Sequence, residues 1–326
     1  MLSALAGLAV LIAVATTLVV GLYVWTIARE ALHPPQGGAA WALARHLPTT
    51  PSEMGLSFRS FTVDCNGFGM PVWEIDVGAS GLRSDGPSVV LVHGWGRSRI
   101  DSLNRLPPFL DVAGRLYLVD LRGHGDAGGR TTLGSREADD LAALLATLAP
   151  APIVLVGHSL GAAACIRCAA LSSAAERIAG VIAIAPYDTV ATPIAARLAA
   201  RELPRGALLA LASALLKLRG IAFHSTLNAA RALRCPLLVV QGERDRISPP
   251  ADARSIAEAA SGQYVSMPEA EHADHQTREP ERFALCVQQF VRSAVREPHR
   301  AAGSGAPSND NGPREDSRGP FVVDQR

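Results

Sequence analysis

The chain has 326 residues, enough for one large domain with appendages, and its 31 basic and 30 acidic residues leave a formal charge of +1. So even a balance offers no electrostatic hold on nucleic acid, and no nucleic-acid partner is expected. Thirty of the basic residues are arginines; the single lysine, Lys217, has neither a phosphate-loop nor an S-x-x-K neighbourhood, which excludes both of those chemistries.

Residues 1–28 carry no charged side chain, and about 20 apolar residues suffice to cross a bilayer as a helix. The segment reads as a transmembrane anchor. A cleaved signal peptide is the competing reading, but no basic residue precedes the run, and the small-residue site Ala13-Val14-Ala15 lies inside it. Tyr23 and Trp25 suit the interface belt, and Arg29, Arg45 and Arg59 follow the span, which by the positive-inside rule places the large domain in the cytoplasm. Residues 29–54 are rich in Pro, Gly and small side chains and read as a linker or a lid over a domain edge.

The globular part spans 55–296. Segments around Ser57 to Val63 and Pro71 to Val77 read as strands, and "SVVLVHGW", "RLYLVDLRGHG", "IVLVGHSLG", "GVIAIAPYD" and "PLLVVQGERD" follow as buried strands ending in Gly or polar residues. Helical patterns separate most of them, notably Glu137 to Leu148. This alternation predicts an α/β fold: a mostly parallel sheet with helices on both faces and its chemistry at the strands' carboxyl ends. Between 188 and 234 the strand rhythm gives way to helical sequence, including "GALLALASALLKLRG", which is too short to span a membrane. An insertion there would cap the strand ends, and its apolar residues could line an acyl pocket or serve only the cap's own packing. Residues 297–326 are polar and Pro/Gly-rich and read as a disordered tail.

In "PIVLVGHSLGAAAC" one serine, Ser159, sits between Gly157 and Gly161, after an apolar strand and before a helix of small residues. A turn that sharp needs small neighbours and exposes the hydroxyl at the amide-rich start of a helix. A serine at neutral pH needs a base within hydrogen-bond reach and a third group to orient that base. Of the nine histidines, His272 and His275 in "SMPEAEHADHQT" follow a predicted last strand and precede the last helix, Pro280 to Val295. His272, nearer the strand end, is the preferred base. The acid should come from another strand end: Asp245 in "QGERDRISPP" is preferred, with Asp188 and Glu243 as rivals. The oxyanion needs two donors, for which the backbone amides of Leu160, directly after Ser159, and Trp95, in "HGWG", are placed.

Cys65, Cys165, Cys168, Cys235 and Cys286 are odd in number and scattered through core elements, which argues against a disulfide framework. Cys165 and Cys168 form C-x-x-C one helical turn apart, where buried thiols are expected rather than a redox or metal pair. "HADH" resembles the end of an H-x-H-x-D-H zinc motif, but Ala270 stands where its first histidine would be, so no metal is expected.

Taken together, "HGWG", "DLRGHG", "GHSLG", "GERD" and "EHADH" resemble the α/β-hydrolase fold superfamily over roughly residues 55 to 296, in its order of nucleophile, acid and histidine. Membrane-anchored bacterial serine hydrolases of esterase or lipase type are the nearest resemblance. It implies a Ser-His-Asp triad of Ser159, His272 and Asp245 acting without a cofactor, and leaves the substrate open because the fold hosts many acyl chemistries. The expected activity is hydrolysis of carboxylic esters, small-molecule or lipid-like, with a hydrophobic acyl group. The alternatives are acyl transfer, thioesterase or peptidase activity on the same fold, and a binding member without catalysis.

Overall fold

The computed structural model describes residues 2–65, 67–80 and 86–296; the tail expected at 297–326 lies outside the described residues. Eight strands, β1 (Phe58–Asp64), β2 (Gly69–Asp76), β3 (Ser88–Val92), β4 (Arg115–Val119), β5 (Ile153–His158), β6 (Ile178–Ile184), β7 (Leu237–Gly242) and β8 (Gln263–Met267), form one sheet. Its order is β1-β2-β4-β3-β5-β6-β7-β8. The β1–β2 and β2–β4 pairs are antiparallel, and β4 through β8 run parallel. This is the α/β-hydrolase fold.

The sequence accounts for the difference between the two ends of the sheet. Every residue of β3, β5 and β7 is buried, as a strand covered on both faces must be, so these segments read as unbroken apolar runs. Successive side chains alternate between the faces. Ile153, Leu155, Leu237 and Val239 join one core, while Val154, Val156, Leu238 and Val240 join the other. The edge strand β1 mixes exposed and half-buried positions.

The helices are α1 (Leu2–Leu32), α2 (Ala39–Leu43), α3 (Arg99–Ser102), α4 (Glu137–Thr147), α5 (Leu160–Leu171), α6 (Ala191–Ala200), α7 (Arg205–Leu218), α8 (Thr226–Arg231), α9 (Pro250–Ala259), α10 (His275–Arg278) and α11 (Pro280–Arg296). One core fills the space between the sheet and α4, α5, α8 and α9, through Leu141, Leu144, Leu145, Ile166 and Ile256. The other lies under α11, whose Phe283, Val287, Phe290 and Val291 recur at helical spacing on its buried face.

A third, smaller core lies apart from the sheet. There α6 and α7 of the β6–β7 insertion contribute Ile194, Leu198, Leu208, Ala212 and Leu216, and α1 contributes Ile27, Ala28 and Leu32. The last helix of the insertion, α8, packs instead on α5 and α9 beside the sheet. The first helix continues past the uncharged run to Leu32; residues 3–19 are exposed all round, and its last turns are seated on α7. It is long and apolar enough to cross a membrane.

Candidate active site

β5 turns directly into α5 at Ser159, whose φ of 52° and ψ of −110° lie outside the regions that side chains favour. The flanking glycines are demanded by contact rather than by their own dihedrals. A Cβ on Gly161 would run into the Val92 carbonyl oxygen and sit 2.6 Å from that of His93; one on Gly157 would lie 2.5 Å from the Ala162 nitrogen. The helix start is therefore pressed against the end of β3. The Ser159 amide donates to the Ile184 carbonyl of β6 at 2.9 Å, which fixes the turn from the other side.

His272 sits on the loop between β8 and α10. Its Nε2 lies 3.1 Å from Ser159 Oγ, and its Nδ1 lies 2.8 Å from Asp245 Oδ2. Asp245 follows β7 and is buried. Its Oδ1 accepts the Ile247 and Ser248 amides at 2.7 and 2.8 Å, and Gln241 Nε2 donates to Oδ2 at 3.2 Å. Burial alone would raise the pKa of this carboxyl, but the His272 hydrogen bond and the two backbone donors outweigh it, and the net direction is down. A carboxylate with this set of donors is held ionised and fixed in rotation.

The rival residues lie elsewhere. Asp188 Oδ1 accepts from Ser225 Oγ at 2.6 Å and from the Leu227 amide at 3.0 Å, tying the start of α8. Glu243 bonds Ser266, Tyr264 and Arg254 at the surface. His275 is fully buried at the start of α10, and burial lowers its pKa to about 4. Among the described residues no three His, Cys, Asp or Glu side chains converge as metal ligands would. The five cysteines are unpaired, and burial drives the Cys165 and Cys168 thiols upward, the latter to about 12.

The loop after β3 carries Trp95. His93 shapes it: Nδ1 donates to the Gly94 carbonyl at 2.8 Å, and Nε2 accepts the Leu121 amide at 3.0 Å. Asp120, after β4, braces the same region by accepting the Arg99 amide at 2.6 Å and the Asp126 amide at 2.9 Å. "DLRGHG" is thus a structural joint: a side chain at Gly125 would strike the Asp120 carboxylate. Among the described residues, neither the Trp95 nor the Leu160 backbone N–H donates to another protein group, so both are free to meet a ligand oxygen.

A cavity of about 180 Å³ opens in front of Ser159 and Leu160. Its walls are Trp95, Leu133, Tyr187, Val190, Ile194 and Leu198, closed on one side by Ile27, Glu30 and Ala31 from the end of α1. Sequence reasoning did not reach three contributors. His158 packs its ring 4.9 Å from that of His272 and donates through Nε2 to the His272 carbonyl at 2.7 Å, pinning the loop. Gln241 steadies Asp245, and Arg197 faces the cavity. The histidine inside "GHSLG" was the available signal for the first; the other two depend on contacts across distant elements.

Residues 89–284 match the alpha/beta hydrolase family, and the chain belongs to it. An uncharacterized protein of Bacillus subtilis, YqkD, is 28% identical over 217 residues, covering 63% of this chain and 70% of that one. Among solved structures, an esterase of Pyrococcus furiosus superposes with a TM-score of 0.65 at 20% identity, covering 81% of this chain and 98% of its own. A thermophilic esterase of Thermogutta terrifontis gives 0.54 at 23%, over 73% and 99%. A membrane phospholipase A, a bacterial virulence factor, gives 0.56 at 19%, over 90% and 99%.

Proposed function

We propose that the chain is a membrane-anchored serine hydrolase of carboxylic esters with an apolar acyl group. The observation that carries this reading is the unbroken line Ser159–His272–Asp245, with spacings of 3.1 and 2.8 Å, facing an apolar cavity. Ser159 Oγ attacks the ester carbonyl carbon while His272 Nε2 takes its proton. Asp245 keeps the other imidazole proton on Nδ1 and stabilises the imidazolium. The carbonyl oxygen, now an anion, receives the Trp95 and Leu160 amides. Collapse of this intermediate breaks the bond to the alcohol, which leaves with the proton from His272. Water, deprotonated by His272, then attacks the acyl-serine and frees the acid.

The esterase neighbours support an ester as substrate. In this reading α1 is a retained anchor, with the catalytic domain in the cytoplasm. The Trp95 indole donates to the Ala31 carbonyl at 2.9 Å, and Arg201 pairs with Glu30 at 2.7 Å, contacts that give the end of α1 a lasting place on the domain. A fluorophosphonate probe on the full-length chain, with p-nitrophenyl esters of graded length plus a thioester and an anilide, tests the assignment. Labelling at Ser159 and cleavage of esters are expected; labelling unchanged in Ser159→Ala would overturn it. Cell fractionation tests the anchor: the chain should stay in the membrane fraction with its domain shielded from external protease in spheroplasts.

A further inference from the structure

The cavity in front of Ser159 is apolar over most of its wall but carries two guanidiniums, Arg197 and Arg201, against a single carboxylate, Glu30. Arg197, on α6, lies 4.2 Å above the Trp95 ring, and its single hydrogen bond among the described residues is to the Pro193 carbonyl at 3.4 Å. No carboxylate among the described residues comes within ion-pair distance of it, whereas its neighbour Arg201 is matched by Glu30 at 2.7 Å. A cation half-withdrawn from water and set against an aromatic face is stabilised by that face. The face does not replace an anion, and a charge partly withdrawn from water with no ion-pair partner carries a desolvation cost. Burial accordingly lowers the pKa of this guanidinium.

The second observation is where the cavity lies. If the hydrocarbon begins at Leu2, about 20 residues of helix, rising about 1.5 Å each, bring the chain to the far side of a 30 Å core. That point falls near Leu22, and Tyr23 and Trp25 stand there as interface side chains would. Ile27, Glu30 and Ala31, which close one side of the cavity, follow within about 14 Å along the helix axis. With α1 spanning the bilayer in this register, the cavity lies at the level of lipid headgroups, beside the helix that forms its wall.

We propose that this pocket takes an anionic amphiphile, an ester that joins an apolar chain to a carboxylate or phosphate, directly from the membrane surface, with Arg197 receiving the anion and the last turn of α1 bounding the chain. The proposal rests on the serine-hydrolase reading and narrows its substrate class. Arg197 is a specificity residue in this scheme, remote from bond breaking. Its stacking over Trp95 puts the anion on the same side of the pocket as the loop whose amide faces the ester carbonyl.

The test uses full-length protein in detergent micelles and two matched substrate pairs. With the anion in the acyl part, p-nitrophenyl hydrogen suberate is compared with p-nitrophenyl octanoate. With it in the alcohol part, 1-dodecanoylglycerol 3-phosphate is compared with 1-dodecanoylglycerol. At least one pair should favour the anionic member by about tenfold or more in kcat/KM, mostly through KM, in keeping with a partly buried charge pair. Arg197→Gln should abolish that preference, its loss in kcat/KM falling about tenfold more heavily on the anionic member than on the neutral one, and Arg197→Lys should restore part of it. Ile27→Trp should slow dodecanoate esters far more than acetates. No preference in either pair, or an Arg197→Gln loss equal for both members, would overturn the proposal and leave Arg197 as packing for Trp95. Hydrolysis of the neutral esters would still stand in that case, and with it the enzyme assignment. If no ester is cleaved and Ser159 resists the fluorophosphonate, the assignment itself falls and takes this proposal with it.

Discussion

Replacing Asp245 by asparagine exchanges one oxygen for an NH2 group with almost no change in volume, so its effect is decided by hydrogen bonds. Oδ1 accepts two backbone amides, from Ile247 and Ser248 at 2.7 and 2.8 Å, and a nitrogen there would oppose both. The asparagine must keep oxygen at that position and turn its NH2 toward His272 and Gln241. Gln241 Nε2 now meets another donor at 3.2 Å. Flipping its amide would cure that, at the loss of its bonds to the Gly242 and Ser248 carbonyls, both 3.0 Å. His272 Nδ1, facing an N–H at 2.8 Å, must become an acceptor, which moves the ring proton to Nε2. That nitrogen lies 3.1 Å from Ser159 Oγ and then has no lone pair with which to take the serine proton.

A tautomer error of this kind costs about 10⁴ in kcat in a serine protease, so Asp245→Asn is expected to lose about 10³ to 10⁴ in kcat/KM, or about 4–5.5 kcal/mol of transition-state stabilisation. KM for a p-nitrophenyl ester should change little, and the rate of fluorophosphonate labelling should fall in parallel with kcat. Asp188→Asn is the control, because asparagine also caps helices and α8 should keep its start; its kcat/KM should stay within about threefold. An Asp245→Asn enzyme within tenfold of wild type, or an equal loss in Asp188→Asn, would refute the assignment of the acid.

Gly161→Ala forces a methyl group into the Val92 and His93 carbonyls; overpacking against backbone should cost about 2–3 kcal/mol or more, read by urea unfolding. His93, His124 and His275 are each lowered to about 4, chiefly by burial. The unfolded chain therefore binds protons first as pH falls from about 6.5 to 4, and stability should drop across that window by up to about 3 kcal/mol per histidine. Unfolding midpoints measured from pH 7.5 to 4 check this; a flat profile would show the rings to be solvated. The buried thiols, Cys168 and Cys65 both pushed up to about 12, should resist iodoacetamide at pH 8 in the folded protein and react in urea. Fast labelling of Cys165 or Cys168 without denaturant would reopen the redox reading.

What the sequence conveys well is what is local. The apolar runs at β3, β5 and β7 announce strands covered on both faces, and Gly157 and Gly161 announce the sharp turn, because each depends on neighbours a few residues away. The order of serine, acid and histidine along a parallel sheet narrowed the candidates to Ser159, to Asp245, Asp188 or Glu243, and to His272 or His275, since successive strand ends come to one edge; which acid and which histidine meet Ser159 depends on the loops. Hidden from that reasoning was whatever depends on distant elements meeting. Nothing in the local pattern places β4 between β2 and β3, and nothing near Arg197 tells that its guanidinium stacks over a tryptophan 102 residues earlier.

The end of α1 shows the same limit most sharply. Hydropathy marks residues 1–28 as lipid-facing and treats Arg29 as the close of the segment, yet the helix continues to Leu32 and buries Ile27, Ala28 and Leu32 against the protein. An apolar residue inside a membrane helix and one packed on a cap give identical sequence signals, because both are simply removed from water. Only the fold separates them. The bond from the Trp95 indole to Ala31 and the seating of Gly37, where a side chain would press on the Arg97 backbone, join the helix end to the loop after β3 that lines the cavity. A change in how α1 sits on α7 would therefore move a pocket wall and the Trp95 loop together, so in this fold the seating of α1 and the geometry around Ser159 are one structural problem.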